Sequence, residues 1–223
     1  MNPSWRDILV ETLRGKSLHR ILTNTACRSV TLSGKVIDLG ARNDQSSYHR
    51  FFVRAPDAEL QYADLHAGAP NVVTIDLEQS FPLSDARFDH VILIHVLEHL
   101  LDGRRCLGEC ARITRPGGQL TAAVPFLYRV HPDPNDYFRY TEAALRAMLK
   151  EAGYRKVSIQ PLGYGPVTAG VSQYARLFKL KPLVFLAIAA AILLDRLLNQ
   201  LFPRNGNVRS DFHPLVYFVR ALR

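Results

Sequence analysis

The stretch FDHVILIHVLEHL (88–100) decides the architecture. Phe88 to Val96 is a short, nearly continuous apolar run, the pattern of a strand buried on both faces. Its continuation LEHLLDGRRCLGECARI (97–113) spaces apolar residues at helical intervals. PGG (116–118) then stops the helix before QLTAAVPF (119–126), a further strand. Upstream, KVIDLG (35–40) is an apolar run ending at a glycine, and DQSSYHRFFVRA (44–55) reads as a loop running into a helix. ELQYADL (59–65) and NVVTIDL (71–77) are strands ending in an acid. Strand and helix alternate, and near-continuously apolar strands require a parallel sheet covered on both faces. The fold class is therefore α/β and doubly wound.

The same letters spell His-x-x-Glu-His (95–99), the inverted zinc-protease motif in which two histidines of one helix bind a metal. That site needs both histidines on a helix, whereas Phe88 to Val96 is β-type, which puts His95 at a strand end and His99 on the helix after it. The downstream acidic ligand is also lacking, because the only glutamates after Glu109 are Glu142 and Glu151. No metal is expected; Glu98 and His99 read as capping or orienting the next helix near the cofactor mouth, with a plain helix-start role for Glu98 as the alternative.

Length allows one well-buried domain, with residues 1–34 as a helical segment that could lid the cleft through Trp5, Ile8, Leu9 and Leu13. Three cysteines without zinc-ribbon spacing read as buried apolar residues of a reducing compartment. The opening residues lack the apolar core of a signal peptide, so a cytoplasmic location is expected. The net charge of +8 is unevenly placed: residues 1–149 are neutral, while residues 150–223 carry 11 basic and 3 acidic side chains. The neutral first part argues against a nucleic-acid partner.

Ligands of open parallel sheets bind beyond the carboxyl ends of the strands, where strand order reverses. At those ends stand Asp38, Gly40, Asp64, Asp76 and His95. Gly40 permits a tight turn whose amides could approach an anion. Asp64 follows it by 24 residues, near the ~20-residue offset of a ribose-binding acid. These positions point to a nucleoside-containing cofactor without saying which.

The ordered series VIDLG, YADL, TIDLEQSFPLSDARFDHVILIHVLEHL and ECARITRPGGQLTAAVPF resembles the class I S-adenosylmethionine-dependent methyltransferases, from about Lys35 to Gly163. The resemblance implies a Rossmann-like, mostly parallel seven-stranded sheet with an antiparallel last strand and S-adenosyl-L-methionine as cofactor. It implies that YRKVSIQP (154–161) and FHPLVYFVRAL (212–222) are the last two strands. It places Asp38, Gly40 and Ala41 beside the methionine portion, Asp64 and Leu65 at the ribose, Asp76 and Leu77 at the adenine, and His95 near the sulfonium. The block PFLYRVHPDPNDYFRYTEAALRAMLKEAGY (125–154) is similar to a subgroup associated with bacterial surface polysaccharides and glycolipids. One departure concerns Arg42, which stands where the family has a second glycine. It either pairs with the cofactor carboxylate or marks a non-catalytic scaffold on the same fold.

A hydroxyl acceptor would need a base within hydrogen-bond reach. HPDPNDYFRYT (131–141) offers candidates on a loop that overhangs the cleft. His131 is the expected catalytic base, with Asp136 as its orienter or substitute. Tyr137, Arg139 and Tyr140 are expected to shape the acceptor pocket; the alternative is an Asp136–Arg139 structural ion pair. Between the last two strands lies an uncharged stretch of 13 residues, Pro182 to Leu194, roughly 20 Å as a helix and too short for a ~30 Å hydrocarbon core. Both strands must lie on one side of a membrane. The insert at about 170–205, with a helix over Leu183 to Phe202 and basic flanks, therefore reads as an interfacial helix on the inner face of the plasma membrane; the alternative is a helix buried against the domain or in a dimer interface. The expected function is methylation of a hydroxyl on a saccharide or lipid-linked glycan precursor; a small soluble metabolite is the alternative acceptor.

Overall fold

The computed structural model describes residues 2–41, 46–66 and 72–223. Two helices, α1 (Trp5–Leu13) and α2 (Leu18–Cys27), precede strands β1 (Thr31–Leu32), β2 (Lys35–Leu39), β3 (Val53–Arg54), β4 (Glu59–Asp64), β5 (Val72–Thr74) and β6 (Phe88–Ile94). Helix α3 (Gly103–Ile113), β7 (Thr114–Pro125), α4 (Glu142–Glu151) and β8 (Lys156–Leu162) follow. Helices α5 (Pro166–Tyr174) and α6 (Lys181–Leu201) then lead to β9 (Val216–Leu222). Seven strands form one sheet in the order β5-β4-β2-β6-β7-β9-β8, and β1 pairs with β3 separately. Within the large sheet only β9 runs antiparallel, to both of its neighbours.

Strand β6 is buried on both faces, as its sequence requires. Val91 and Leu93 join Leu107, Leu145 and Leu149 of α3 and α4. Ile92 and Ile94, pointing the other way, join Ile8, Leu22 and Ile188 of α1, α2 and α6. Helices thus cover both faces of the sheet.

Three local expectations need correction. The segment 44–55 forms no α-helix among its described residues: it makes a single 3-10 turn at His49–Phe51 and then enters β3. The sheet face such a helix would cover is filled by α2, whose Ile21 and Leu22 share a core with Val36 and Ile92, and Tyr48 and His49 turn inward to bond Asp38. Leu97–His99 is likewise a 3-10 turn; α3 starts at Gly103, where the Asp102 carboxylate accepts from the Arg105 amide at 3.0 Å. PGG does not precede β7 but lies within it. It is absorbed as a bulge, since Phe88 pairs with Thr114 but His90 with Gln119.

On α1, Ile8 packs inward, whereas Trp5, Leu9 and Leu13 are exposed, contrary to the expected lid face. Helix α6 buries Val184, Ile188, Ala191, Ile192 and Asp195 on one side and exposes Leu183, Leu186, Leu193 and Leu197 on the other. Asp195 interrupts the apolar run for a reason. Its two carboxyl oxygens accept from the amides of Val167 (3.0 Å) and Thr168 (2.7 Å), capping the first turn of α5, which has no side-chain cap of its own. Gly165 must be glycine here, because its φ is +152° and a Cβ would lie 2.6 Å from Asp195 Oδ1.

Asp195→Ala should therefore lower stability by about 2–3 kcal/mol, with Asp195→Asn losing less, read as a shift of the urea midpoint. A second expectation concerns His90, whose neutral ring is held between Thr121 Oγ1 (2.8 Å) and the Gln119 amide (2.9 Å). Burial lowers its pKa to about 4, so the unfolded chain binds this proton more tightly. The contribution is complete above pH ~6.5 and is lost as pH falls towards 4, by roughly 3 kcal/mol. Urea titrations of the native chain and His90→Gln across that window should show a shallower acid limb in the variant.

Candidate functional site

Strand order reverses at β2: the chain moves outward through β4 and β5, then returns to place β6 on the other side. A ligand crevice is expected outside the carboxyl ends of such strands. A cavity of about 310 Å³ lies there, lined by Gly40, Asp64, Leu65, Ile75, Asp76, Leu77, Glu78, His95, Val96 and His99, with Asp133, Pro134, Asn135 and Tyr137 opposite. Its volume reaches the ~300 Å³ at which small-molecule sites begin.

Gly40 takes φ +83°, and a Cβ there would come within 2.5 Å of Val96 Cγ2. Its glycine therefore serves the close approach of two strand ends. The amides of Gly40 and Ala41 both donate to the Ala63 carbonyl, at 2.7 and 3.2 Å, so they do not offer the expected anion contact. Asp38 is also off the cavity wall. Its fully buried carboxylate accepts from the Tyr48 hydroxyl at 3.0 Å and faces His49 Nε2 at 2.6 Å, and burial pushes its carboxyl up. Asp38 thus anchors the segment after β2 from beneath, and Ala41 is buried beside it. Arg42 lies outside the described residues.

Asp64, Leu65, Asp76 and Leu77 stand on the wall as expected. Asp64 Oδ1 accepts from the His66 amide at 3.0 Å, and Asp76 Oδ1 from the Glu78 amide at 2.9 Å. Each carboxylate is thereby oriented by its own turn. Two oriented carboxylates among Leu65, Ile75 and Leu77 suit the hydroxyl and amine donors and the apolar base face of a nucleoside. The residues present fit the nucleoside portion of S-adenosylmethionine.

His95 follows β6 at φ +56°. Thr23 of α2 donates its hydroxyl proton to the His19 carbonyl (3.0 Å), so its oxygen accepts from His95 Nε2–H at 3.0 Å. This leaves His95 Nδ1 as a buried lone pair with no hydrogen-bond partner among the described residues. Burial and the nearby Arg20 lower the pKa of His95 well below its ordinary value. Glu98 is completely buried, and neither of its carboxyl oxygens has a hydrogen-bond partner among the described residues. A carboxylate in that position costs several kcal/mol unless it is compensated. The groups nearest its Oε1 are imidazole nitrogens: His95 Nδ1 (3.8 Å), His99 Nε2 (3.7 Å) and His131 Nε2 (3.8 Å).

The loop after β7 is arranged differently from expectation. Arg139 grips Asp136 through both guanidinium nitrogens, at 2.5 and 2.7 Å, and reaches the carbonyls of Tyr128 (3.3 Å) and Arg129 (2.9 Å). Arg139 is thus a tether of the loop, not a wall of the acceptor pocket. It also holds the Asp136 carboxyl far below the ordinary carboxylate range, which makes Asp136 a weak substitute base. Asp136 does orient His131, accepting from its amide at 2.8 Å and facing its Nδ1 at 3.1 Å. Tyr137 is on the cavity wall, whereas Tyr140 lies half-buried against the Leu97 carbonyl and Gly103. The sequence reading missed Thr23, Glu78 and Asn135, and above all the convergence of three imidazoles on Glu98. The letters HVLEHL hold Glu98 and two of the three.

The family described as a methyltransferase domain matches residues 34–122. A probable S-adenosylmethionine-dependent methyltransferase of Mycobacterium tuberculosis is 35% identical over 91 residues, 38% of this chain and 33% of that protein. An O-methyltransferase of Aspergillus nomiae is 31% identical over 111 residues, 45% of this chain and 49% of that protein. The matched region thus spans a third to a half of these relatives. Among solved structures, an S-adenosylmethionine-dependent methyltransferase from Archaeoglobus fulgidus is similar with a TM-score of 0.56 at 17% identity, over 99% of this chain and 95% of that one. A [4+2]-cyclase, SpnF, is similar with a TM-score of 0.56 at 15% identity, over 92% of this chain and 81% of that one, and so the fold alone does not fix the reaction. Residues 34–122 thus match a methyltransferase domain, and the sheet shares the fold of an S-adenosylmethionine-dependent methyltransferase of known structure.

Proposed function

We propose that the chain transfers a methyl group from S-adenosylmethionine to a hydroxyl of a saccharide or lipid-linked glycan precursor at a membrane surface. The observation that carries the reading is a single cavity with oriented carboxylates, Asp64 and Asp76, at one side and the His95–His99 turn at the other. When bound, the cofactor supplies a methyl group already activated by its sulfonium. The chain's own part is positioning, dryness and removal of a proton.

Asp64 and Asp76 receive the nucleoside's hydrogen-bond donors, and Leu65 and Leu77 exclude water from its base. Tyr137 and Asn135 close the acceptor side. As the acceptor oxygen forms its new bond to carbon, its proton passes to a nearby base. His131 is the assigned base. It is not on the cavity wall but stands behind the wall residue His99, with ring centroids 5.0 Å apart. Its Nδ1 is occupied by the Arg129 carbonyl and Asp136, so Nε2 is the nitrogen left to accept. The O-methyltransferase relative supports an oxygen acceptor.

The membrane part of the reading rests on α6. The most apolar 18-residue stretch of this 21-residue helix has a mean hydropathy of 1.8, and only 28% of that stretch is buried. Its outer face carries Leu183, Leu186, Leu193 and Leu197, and Lys179, Arg204 and Arg209 flank it. An exposed apolar helix between cations suits the interface of an anionic bilayer. Strands β8 and β9 pair along their full length, so the segment between them starts and ends on the same side. A cytoplasmic chain seated on the inner leaflet satisfies these constraints.

Calorimetric titration should give a Kd for S-adenosylmethionine in the micromolar range, weakened about 10- to 100-fold in Asp64→Ala. Absence of binding at millimolar cofactor would favour the scaffold instead. In liposome flotation the chain should rise with anionic vesicles, and the triple variant Leu186→Glu, Leu193→Glu, Leu197→Glu should stay at the bottom. Equal flotation of both would remove the membrane from the reading.

A further inference from the structure

We propose that Glu98, His99 and His131 form a binding site for a divalent transition-metal cation of the zinc or manganese class, with His95 beside it against the Glu98 carboxylate. The inference rests on the methyltransferase reading only for what the cation would do, not for its binding. The ligand atoms of Glu98, His99 and His131 lie within 4.8 Å of one another. With His95 included, three imidazole nitrogens stand 3.7–3.8 Å from one carboxyl oxygen.

These distances are too long for hydrogen bonds. They are a few tenths of an ångström above the ~3.0–3.4 Å that separates two ligands each ~2.1 Å from a shared cation. The hydrogen bonds on the far sides of the rings make the arrangement specific. His99 Nδ1 faces the Asn135 carbonyl at 2.5 Å, and His131 Nδ1 the Arg129 carbonyl at 3.1 Å. A carbonyl can only accept, and at His131 Nδ1 a second acceptor, Asp136 Oδ2 at 3.1 Å, outweighs the one donor, Arg139 Nη2 at 3.5 Å, so both Nδ1 atoms carry the proton and both Nε2 atoms present a lone pair. His95 is fixed in the opposite sense by Thr23, which leaves Nδ1 as its lone pair. Imidazoles held by carbonyls or hydroxyls on the distal nitrogen are the usual supports of metal-bound histidines.

Four electron-pair donors therefore face one another in a largely buried space. Both Glu98 oxygens and His95 Nδ1 have no hydrogen-bond partner among the described residues, although the side chains are 0% and 5% exposed. A proton on one imidazole would satisfy a single contact, whereas one cation would join Glu98, His99 and His131 together. Nitrogen donors with one carboxylate suit zinc, manganese or iron better than magnesium or calcium. The downstream ligand absent among the later glutamates is supplied by a histidine of the β7 loop.

His95 and His99 also line the cavity, so remaining coordination positions open onto the acceptor side. An acceptor hydroxyl bound there would be acidified by the cation, its proton leaving to solvent. In that state His131 is a ligand in place of a base, because one lone pair cannot serve both.

The test is titration of the chelator-stripped full chain with Zn²⁺ or Mn²⁺ alone, followed by calorimetry, with bound metal counted by elemental analysis. One equivalent per chain is expected, with affinity at least 100-fold weaker in Glu98→Gln and in His131→Asn. His131 lies on a loop, so its variant keeps the test valid if Glu98→Gln fails to fold. No binding at millimolar metal would overturn the site, and so would binding unchanged in His131→Asn. Titration of S-adenosylmethionine into the same samples separates the two readings. Cofactor binding without metal sinks only the cation site, and metal binding without cofactor sinks only the methyltransferase activity.

Discussion

The close approach of β2 and β6 at their carboxyl ends is the constraint on which the site depends. Gly40 leaves no room for a side chain, since Val96 Cγ2 occupies the place of its Cβ. The two strands are therefore held together at the point where the chain must leave the sheet in opposite directions. Beyond that pinch β2 hands over towards β4, and the backbone at His95 turns through φ +56°. The cavity is the volume between the departing chains. A β-branched or larger residue at position 40 would push β6 away and move His95 with it, so packing at the strand ends sets the geometry of polar groups several residues on.

Much of this was legible before any coordinates, because buried parallel strands leave so few alternatives. FDHVILIHV is apolar on both faces, and Asp64 and Asp76 stood at strand ends where the wall of the crevice was found. Less legible were features set by elements distant in sequence. Nothing in DQSSYHRFFVRA announces that α2 has already taken the face its helix would cover, or that Tyr48 and His49 are needed to enclose Asp38. PGG reads as a stop in one dimension, yet a strand can carry it as a bulge when its neighbour holds the register on either side.

Asp195 shows the same limit from another side. In sequence it interrupts the uncharged stretch of a helix read over Leu183 to Phe202. In the fold it points inward, fully buried, and completes the first turn of α5. The apolar outer face therefore continues past it through Leu197 to Leu201. The charge that would have limited contact with a bilayer is consumed in joining two helices, and the exposed face is longer than composition implies.

No single helix carries the letters His-x-x-Glu-His, which excludes the geometry of the inverted protease motif alone. A strand end, a 3-10 turn and a loop from beyond the next strand bring the same side chains together without a helix. What decides between a cation and an ordinary polar contact is which atoms are left without partners. Asn135 and Arg129 offer only carbonyls and Thr23 only an oxygen whose own proton is spent, so each ring turns a lone pair inward. Glu98 meets those lone pairs with two more acceptor oxygens. Buried acceptors facing acceptors repel unless something positive lies among them, and the cation proposed for Glu98, His99 and His131 would supply that charge.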